Sequence, residues 1–324
     1  MGAQTVTTMH HDVFNGDADG LCALQQLRLA EPVESQLITG VKRDIALLKR
    51  VAAGPEDQVT VLDIALDKNR EALLGVLAGG ATVRYFDHHF PGEIPKHPRF
   101  EPHIETLSDK GTSLLVDDYL HGRFRAWAVV GTFGDNFDAQ AHRAIASLGY
   151  RPDQVAALRS LGIYLNYNGY GPSLEDLHIP PDALARRMRP YAEPLEFIAE
   201  DPAFPQLEAG YHEDMTRAAG LPPELVTERH GLYVLPDEPW ARRVSGVLAN
   251  QLAQQAPQRA HALLTRLPAG GFLVSVRAPL ERGEGADALC RQFPTGGGRK
   301  AAAGINALPD DQYLPFVRAF TSAF

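Results

Sequence analysis

Cysteine is almost absent from this 324-residue chain. The two present, Cys22 and Cys290, each fall in a stretch that reads as an amphipathic helix. A single distant pair is no disulfide framework, so a reducing cytoplasm is the expected compartment. Long apolar runs are missing as well. No segment reaches the roughly 18 consecutive apolar residues that a bilayer-crossing helix needs, and no membrane association is expected. The N-terminal MGAQTVTTMHHDVF lacks the basic segment and apolar stretch of a secretory leader, and Val6 stands where a myristoylation pattern needs Ser or Thr. Basic charge is in deficit: 31 Lys and Arg against 40 Asp and Glu leave a formal charge of -9. Such a surface is a poor coat for long nucleic acid, which is bound by neutralising many phosphates, but it leaves room for a small anion in a local basic pocket. Internal repeats and low-complexity tracts are absent. What remains, 44% apolar and 22% charged residues, is an ordinary globular composition with length enough for two domains.

Between residues 11 and 86, short apolar runs alternate with helical periods: HDVFN, 21–29, QLITG, 45–51, VTVLDI, 72–77 and TVRYF. Strand, helix and strand in that order predict parallel strands with helical crossovers, an open α/β sheet whose ligands sit at the carboxyl ends of the strands. Three of the four predicted strands end in polar residues: Asn15-Gly16-Asp17-Ala18-Asp19-Gly20, Asp63, and Asp87-His88-His89. A further apolar run, 126–132, is undecided between helix and strand and leads into Gly134-Asp135-Asn136. Residues 138–200 read as helices, and the proline-studded 202–239 as connector with a helical piece at 211–219. A helix at 241–255, strands HALLTRL and FLVSVRA, a helix at 286–293 and the run Gly296-Gly297-Gly298 then suggest a second, smaller α/β domain. The domains are expected at 1–200 and 229–324, joined by 201–228, with the active-site cleft between them.

Each polar strand end has an ordinary reading. Asp17 and Asp19 suit helix capping, Asp63 a solvated strand end, and His88-His89 a surface pair like His10-His11. Convergence is what sets them apart. Several carboxylates and an imidazole on one rim repel one another unless cations neutralise them, and hard oxygens with one imidazole suit Mn2+, or alternatively Mg2+. Two ions sharing a carboxylate would clamp the attacking and leaving oxygens of a phosphoryl group. Thr112 and Ser113 read as substrate contacts or as helix caps. Asn166 to Gly171 is a polar aromatic segment, more turn than base-stacking platform. Arg277, ending an apolar strand, calls for an anionic partner, and Gly296 to Lys300 would cradle an anion with bare backbone N-H groups or form a flexible loop.

These motifs resemble the DHH phosphoesterase superfamily, in the branch with a C-terminal DHHA1 domain. The resemblance runs from Asn15 to Gly304 in the family's order: Asn15-Gly16-Asp17-Ala18-Asp19-Gly20, Asp63, Asp87-His88-His89 and Gly134-Asp135, then Gly296-Gly297-Gly298-Arg299-Lys300-Ala301-Ala302-Ala303-Gly304. It implies metal ligation by Asp17, Asp19, Asp63, His88 and Asp135, with Asp63 bridging two Mn2+ ions. It also implies that Asp87 supports the imidazole, that His89 faces the phosphate, and that Arg277 and the glycine run hold substrate. Two departures stand out. Val13 and Asn15 occupy places where the family often has His or Asp, so one ion is expected to be held more loosely, through the Asn15 amide oxygen. Arg299 replaces a histidine, keeping a phosphate contact but not a proton donor. The expected activity is hydrolysis of short nucleotidic phosphates (oligoribonucleotides, linear dinucleotides or 3′,5′-bisphosphate nucleotides) by two-metal hydroxide attack. The alternatives are a non-catalytic nucleotide-binding sensor and a RecJ-like single-strand exonuclease. No long duplex partner is expected, and nothing decides between monomer and homodimer.

Overall fold

The computed structural model describes residues 8–106 and 110–324; the pattern around Val6 lies outside them. The chain divides into two compact units, Met1–Glu208 and Ala209–Phe324.

The first unit holds β1 (His10–Phe14), α1 (Ala18–Ala30), β2 (Gln36–Ile38), β3 (Gln58–Leu62), α2 (Leu66–Ala78), β4 (Thr82–Asp87) and β5 (Phe100–Ile104). The strands form an all-parallel sheet in the order β2-β1-β3-β4-β5. The chain leaves β1 for one side of the sheet and returns to the other through β3, so the carboxyl ends of β1 and β3 flank a topological switch point, where open α/β sheets bind ligands. Period-two alternation sends Val13, Val61, Val83 and Tyr85 to one face, where they are buried with Leu73, Val76 and Leu77 of α2. The opposite face carries Asp12, whose carboxylate is gripped by Arg28 of α1 at 2.7 and 2.8 Å and accepts from the Ser35 hydroxyl, while Arg28 also donates to the Thr60 hydroxyl.

The helical half comprises α3 (Thr112–Tyr119), α4 (Arg125–Gly134), α5 (Asp138–Ile145), α6 (Pro152–Asn168), α7 (Pro181–Met188) and α8 (Pro194–Glu200). The undecided run 126–132 is therefore helix, with Trp127 fully buried. A further helix, α9 (Ala203–Ala219), runs through most of the stretch expected as connector. Its prolines do not stop it, because Pro202 precedes it and Pro205 sits in the first turn, where no intrahelical N-H is lost.

Several local expectations fail. Segment 45–51 forms a single 3-10 turn, Leu47–Arg50, being too short to nucleate an α-helix. Strand β5 carries exposed Glu101 and Pro102 and gave no alternating signal, as suits a sheet edge. His10-His11 is not a surface pair: it lies in β1, and His11 is buried. Residues 166–168 complete α6 instead of opening a turn.

In the second unit, β6 (Leu225–Val226), β7 (His230–Leu235), β8 (Ala260–Arg266), β9 (Phe272–Arg277), β10 (Gly296–Gly298) and β11 (Ala302–Leu308) form a mixed sheet in the order β10-β11-β9-β8-β7-β6. Helices α10 (Pro239–Gln255), α11 (Ala286–Cys290) and α12 (Tyr313–Ala323) accompany it. Leu264, Val274, Val276 and Ile305 of the sheet share one core with Leu289 of α11 and Phe316 and Phe320 of α12. The glycine run is neither a free loop nor the start of a helix. It is an edge strand paired antiparallel with β11, Gly296 opposite Ile305 and Gly298 opposite Ala303. A Cβ at Gly296 would fall 1.8 Å from the Cys290 carbonyl oxygen, so backbone crowding alone requires glycine there.

Candidate metal centre

Four strand ends and two helix ends deliver the polar residues of the first unit to one place. Asn15, Asp17 and Asp19 follow β1, Asp63 follows β3, His88 and His89 follow β4, and Asp135 caps the C-terminus of α4. The fourth strand end, after β2, contributes Lys42.

The first turn of α1 requires a glycine to sit this close to β1, since a Cβ on Gly20 would lie 2.2 Å from the Asn15 carbonyl oxygen. Asp17 caps that turn, its Oδ1 accepting from the backbone N-H groups of Asp19 and Gly20 at 3.1 Å each. Asp19 reaches across to the N-terminus of α3. There it accepts from the Thr112 N-H at 2.7 Å and the Ser113 N-H at 2.8 Å, and the Ser113 hydroxyl bonds to it too. Asp63 has φ +59, a left-handed conformation that Asp tolerates better than most residues but that still costs energy. The Thr112 hydroxyl donates to its Oδ1 at 2.9 Å. Thr112 and Ser113 therefore orient the acids.

His88 presents Nε2 to three carboxylates, at 3.5 Å from Asp63, 3.9 Å from Asp135 and 4.0 Å from Asp19. Donors around one hard cation at about 2.1 Å stand about 3 Å apart when adjacent and about 4.2 Å apart when opposite. Asp19, His88 and Asp135 form one group spaced to share a divalent ion and Asp63, His88 and His89 another, and their oxygen-rich chemistry suits Mg2+ or Mn2+. Electrostatics agree. Burial, reinforced by Asp17, Asp19, Asp135 and Asp87, pushes the Asp63 carboxyl well above its ordinary value. Burial and then Asp135 raise Asp19, while burial lowers His88 despite the acids around it. Such an arrangement is costly without a cation and is what a cation relieves.

His89 stands beside Asp63, its Nδ1 4.0 Å from Asp63 Oδ1. Its Nδ1 is hydrogen-bonded to Asp87 Oδ1 at 2.7 Å, so the imidazole that Asp87 supports is that of His89. Asp87 is fully buried, and its Oδ2 has no hydrogen-bond partner among the described residues. Asn15 donates from Nδ2 to the Lys42 carbonyl at 3.2 Å, while its buried Oδ1 has no partner among the described residues.

Lys42 gave no motif. Its Nζ bonds to Asp17, lies 3.2 Å from Asp135 Oδ1 and 2.9 Å from Asn166 Oδ1, and sits over the Tyr170 ring at 5.6 Å. Burial pulls its ammonium down, but Asp17 and Asp135 outweigh that and hold it well above the usual lysine range. The signal was nevertheless available, because Lys42 follows a predicted strand, and the rule that singled out the other three strand ends applies to this one.

In the second unit, Arg277 donates from Nε to Asn250 Oδ1 at 2.7 Å, a neutral acceptor. Arg299 and Lys300 are exposed in the turn between β10 and β11, where the Arg299 N-H and the Ala302 carbonyl close a hydrogen bond of 2.9 Å.

No family model matches the chain, and no curated protein matches it in sequence. Solved structures do. The exonuclease RecJ bound to manganese superimposes with a TM-score of 0.60 at 17% identity, over 97% of this chain and 90% of that one. The pGpG-specific phosphodiesterase PggH of Vibrio cholerae does so with a TM-score of 0.54 at 14% identity, over 98% of this chain and 100% of that one. The fold is an α/β architecture with a parallel sheet in one unit and a mixed sheet in the other. It is the fold of the DHH superfamily, to which both neighbours belong.

Proposed function

We propose that this chain is a divalent-metal-dependent phosphoesterase acting on short nucleotidic phosphates, with Mn2+ as its ion. The observation that carries the reading is the convergence of Asp19, Asp63, His88, His89 and Asp135 in two cation-sized groups that share His88. A divalent ion held there supplies Lewis-acid charge to the phosphoryl group and acidifies water at neutral pH. The protein's own contribution is positional. Thr112 and Ser113 fix Asp19 and Asp63 in their ligating orientations. Asp87 holds the Nδ1 of His89, directing the opposite ring nitrogen, Nε2, to a phosphoryl oxygen as charge develops in the transition state. Asn15 and Asp17 complete the rim beside this ion. Arg277, Arg299, Lys300 and the backbone of Gly296 to Gly298 are assigned to the remaining charge of the substrate.

A linear dinucleotide heads the substrate set, since a protein of this fold is a pGpG-specific phosphodiesterase. The acidic net charge favours small over long substrates. Incubation of metal-stripped protein with Mn2+ and a 5′-labelled dinucleotide is expected to release mononucleotide. No product together with tight dinucleotide binding would replace the enzyme with a sensor, and faster cleavage of long single strands would replace the small substrate with the RecJ-like one.

A further inference from the structure

The edge of the parallel sheet that carries the acids also carries two aromatic side chains that the metal centre does not use. Phe90 follows His89 directly and is 74% exposed. The backbone that presents it is held on both sides: His89 is bonded to Asp87, and buried Pro91 accepts at its carbonyl from Arg70 at 2.7 Å. A large apolar ring is thus displayed to solvent on a fixed segment, so little ordering remains to be done when something binds it. Tyr170 is the second. Its half-buried ring lies 5.6 Å from the Lys42 ammonium, which reaches Asp17, Asp135 and Asn166. The end of α6 is packed hard against the turn that bears Asp17, since a Cβ on Gly169 would fall 3.1 Å from the Gly16 carbonyl oxygen and 3.2 Å from the Asp17 Cα. Tyr170, the next residue, is therefore placed by backbone contact.

Strand order sets the two rings on opposite sides of the acids. Lys42, beside Tyr170, follows β2 and Phe90 follows β4, while β1 and β3 with Asp17, Asp19 and Asp63 lie between. At about 4.8 Å per strand, those two flanks stand about 14 Å apart. A phosphodiester centred on the acids would have one aromatic ring to either side. Aromatic rings are what unpaired bases stack on, and a duplex, whose bases are already stacked, would offer them none. On the phosphoesterase reading above, on which this rests, we propose that Phe90 and Tyr170 are the two nucleobase platforms of the site, one for each base flanking the scissile phosphate. The site then selects a single-stranded substrate with two bases over a bisphosphate nucleotide or a phosphate ester without a base.

The test uses the Mn2+-loaded intact chain, a 5′-phosphorylated diribonucleotide, and the same molecule lacking its first or its second base. Phe90→Ala and Tyr170→Ala are each expected to raise KM for the full dinucleotide about 5- to 150-fold, the range of one base-aromatic stack, with kcat little moved. Each variant should also lose the wild-type penalty for removing one base, and the base should differ between the two. Phe90→Tyr and Tyr170→Phe keep a ring and are expected to keep the wild-type KM, whereas Phe90→Leu and Tyr170→Leu keep apolar bulk and are not. Unchanged KM in either alanine variant, or a wild type indifferent to the loss of a base, would overturn the proposal and leave the phosphoesterase reading intact. Absence of any wild-type turnover would overturn that reading instead, and the same comparison made on the dinucleotide Kd by calorimetry would then decide for or against the two platforms.

Discussion

Asp63 carries the greatest strain of any acid in the centre: a left-handed backbone, complete burial and four neighbouring carboxylates. Such a cost is retained where the side chain has a task. Asp63→Ala should therefore remove tight Mn2+ uptake and lower turnover by on the order of 100-fold or more, as loss of ligands and their supports does. Wild-type metal content in that variant, measured by elemental analysis, would exclude Asp63 as a ligand. The same residues set the pH behaviour. Asp19 and Asp63 have folded values above their ordinary 3.8, so the stability they contribute is fully present below that value and is lost as pH rises through the folded values. Bound Mn2+ reverses the dependence, because it requires the deprotonated carboxylates. His88, held below its ordinary 6.5 by burial, gives stability that is present above 6.5 and lost as pH falls, and the ion needs its neutral form too. The gap in Tm between Mn2+-loaded and metal-free protein should widen from about pH 5 to about pH 8. A constant gap in differential scanning calorimetry would count against these ligands.

At the scale of elements, Asp135 reaches the centre because α4 and α6 cross at two glycines. A Cβ on Gly134 would fall 2.3 Å from the Ala18 Cβ and 2.7 Å from the Gly162 carbonyl oxygen, and one on Gly162 would fall 2.3 Å from the Val130 carbonyl oxygen. Only without side chains does α4 lie close enough for its C-terminal residue to share space with the first turn of α1. Gly134→Ala should cost about 1–3 kcal/mol in denaturant unfolding, the usual cost of overpacking, and weaken Mn2+ affinity by moving Asp135. Unchanged stability and affinity would mean that the crossing tolerates a methyl group. The N-terminus of α3 shows the same economy. Its N-cap is Gly111, with no side-chain bond to the helix, and the capping carboxylate comes instead from Asp19, far back in the sequence. A Cβ on Gly111 would stand 2.8 Å from Asp19 Oδ2. Helix capping and ligand orientation are thus one arrangement.

For the whole molecule, the parallel sheet draws acidic residues to one edge, where a bound cation would present a positive face to a phosphate ester in a chain short of basic charge. The alternation of apolar strands and helical periods was sufficient to place Asp17, Asp19, Asp63 and His88 on that edge, because period two and period 3.6 are properties of local backbone geometry, whereas Asp135 was reached only through the resemblance, its run being undecided between helix and strand. The glycine run was legible as a motif but not as a strand, since pairing with β11 is decided by a partner that glycine's own conformational freedom does not announce. Strand β5, helix α9 and the buried His11 were likewise set by neighbours rather than by their own residues. Sequence alone determined the parallel strands β1, β3 and β4, the acidic residues at their ends and the resemblance that follows from them. Tertiary structure alone decided that Asp87 serves His89, that Thr112 and Ser113 serve the acids, and that Lys42 neutralises Asp17, because each depends on which side chains the fold turns into one low-dielectric space.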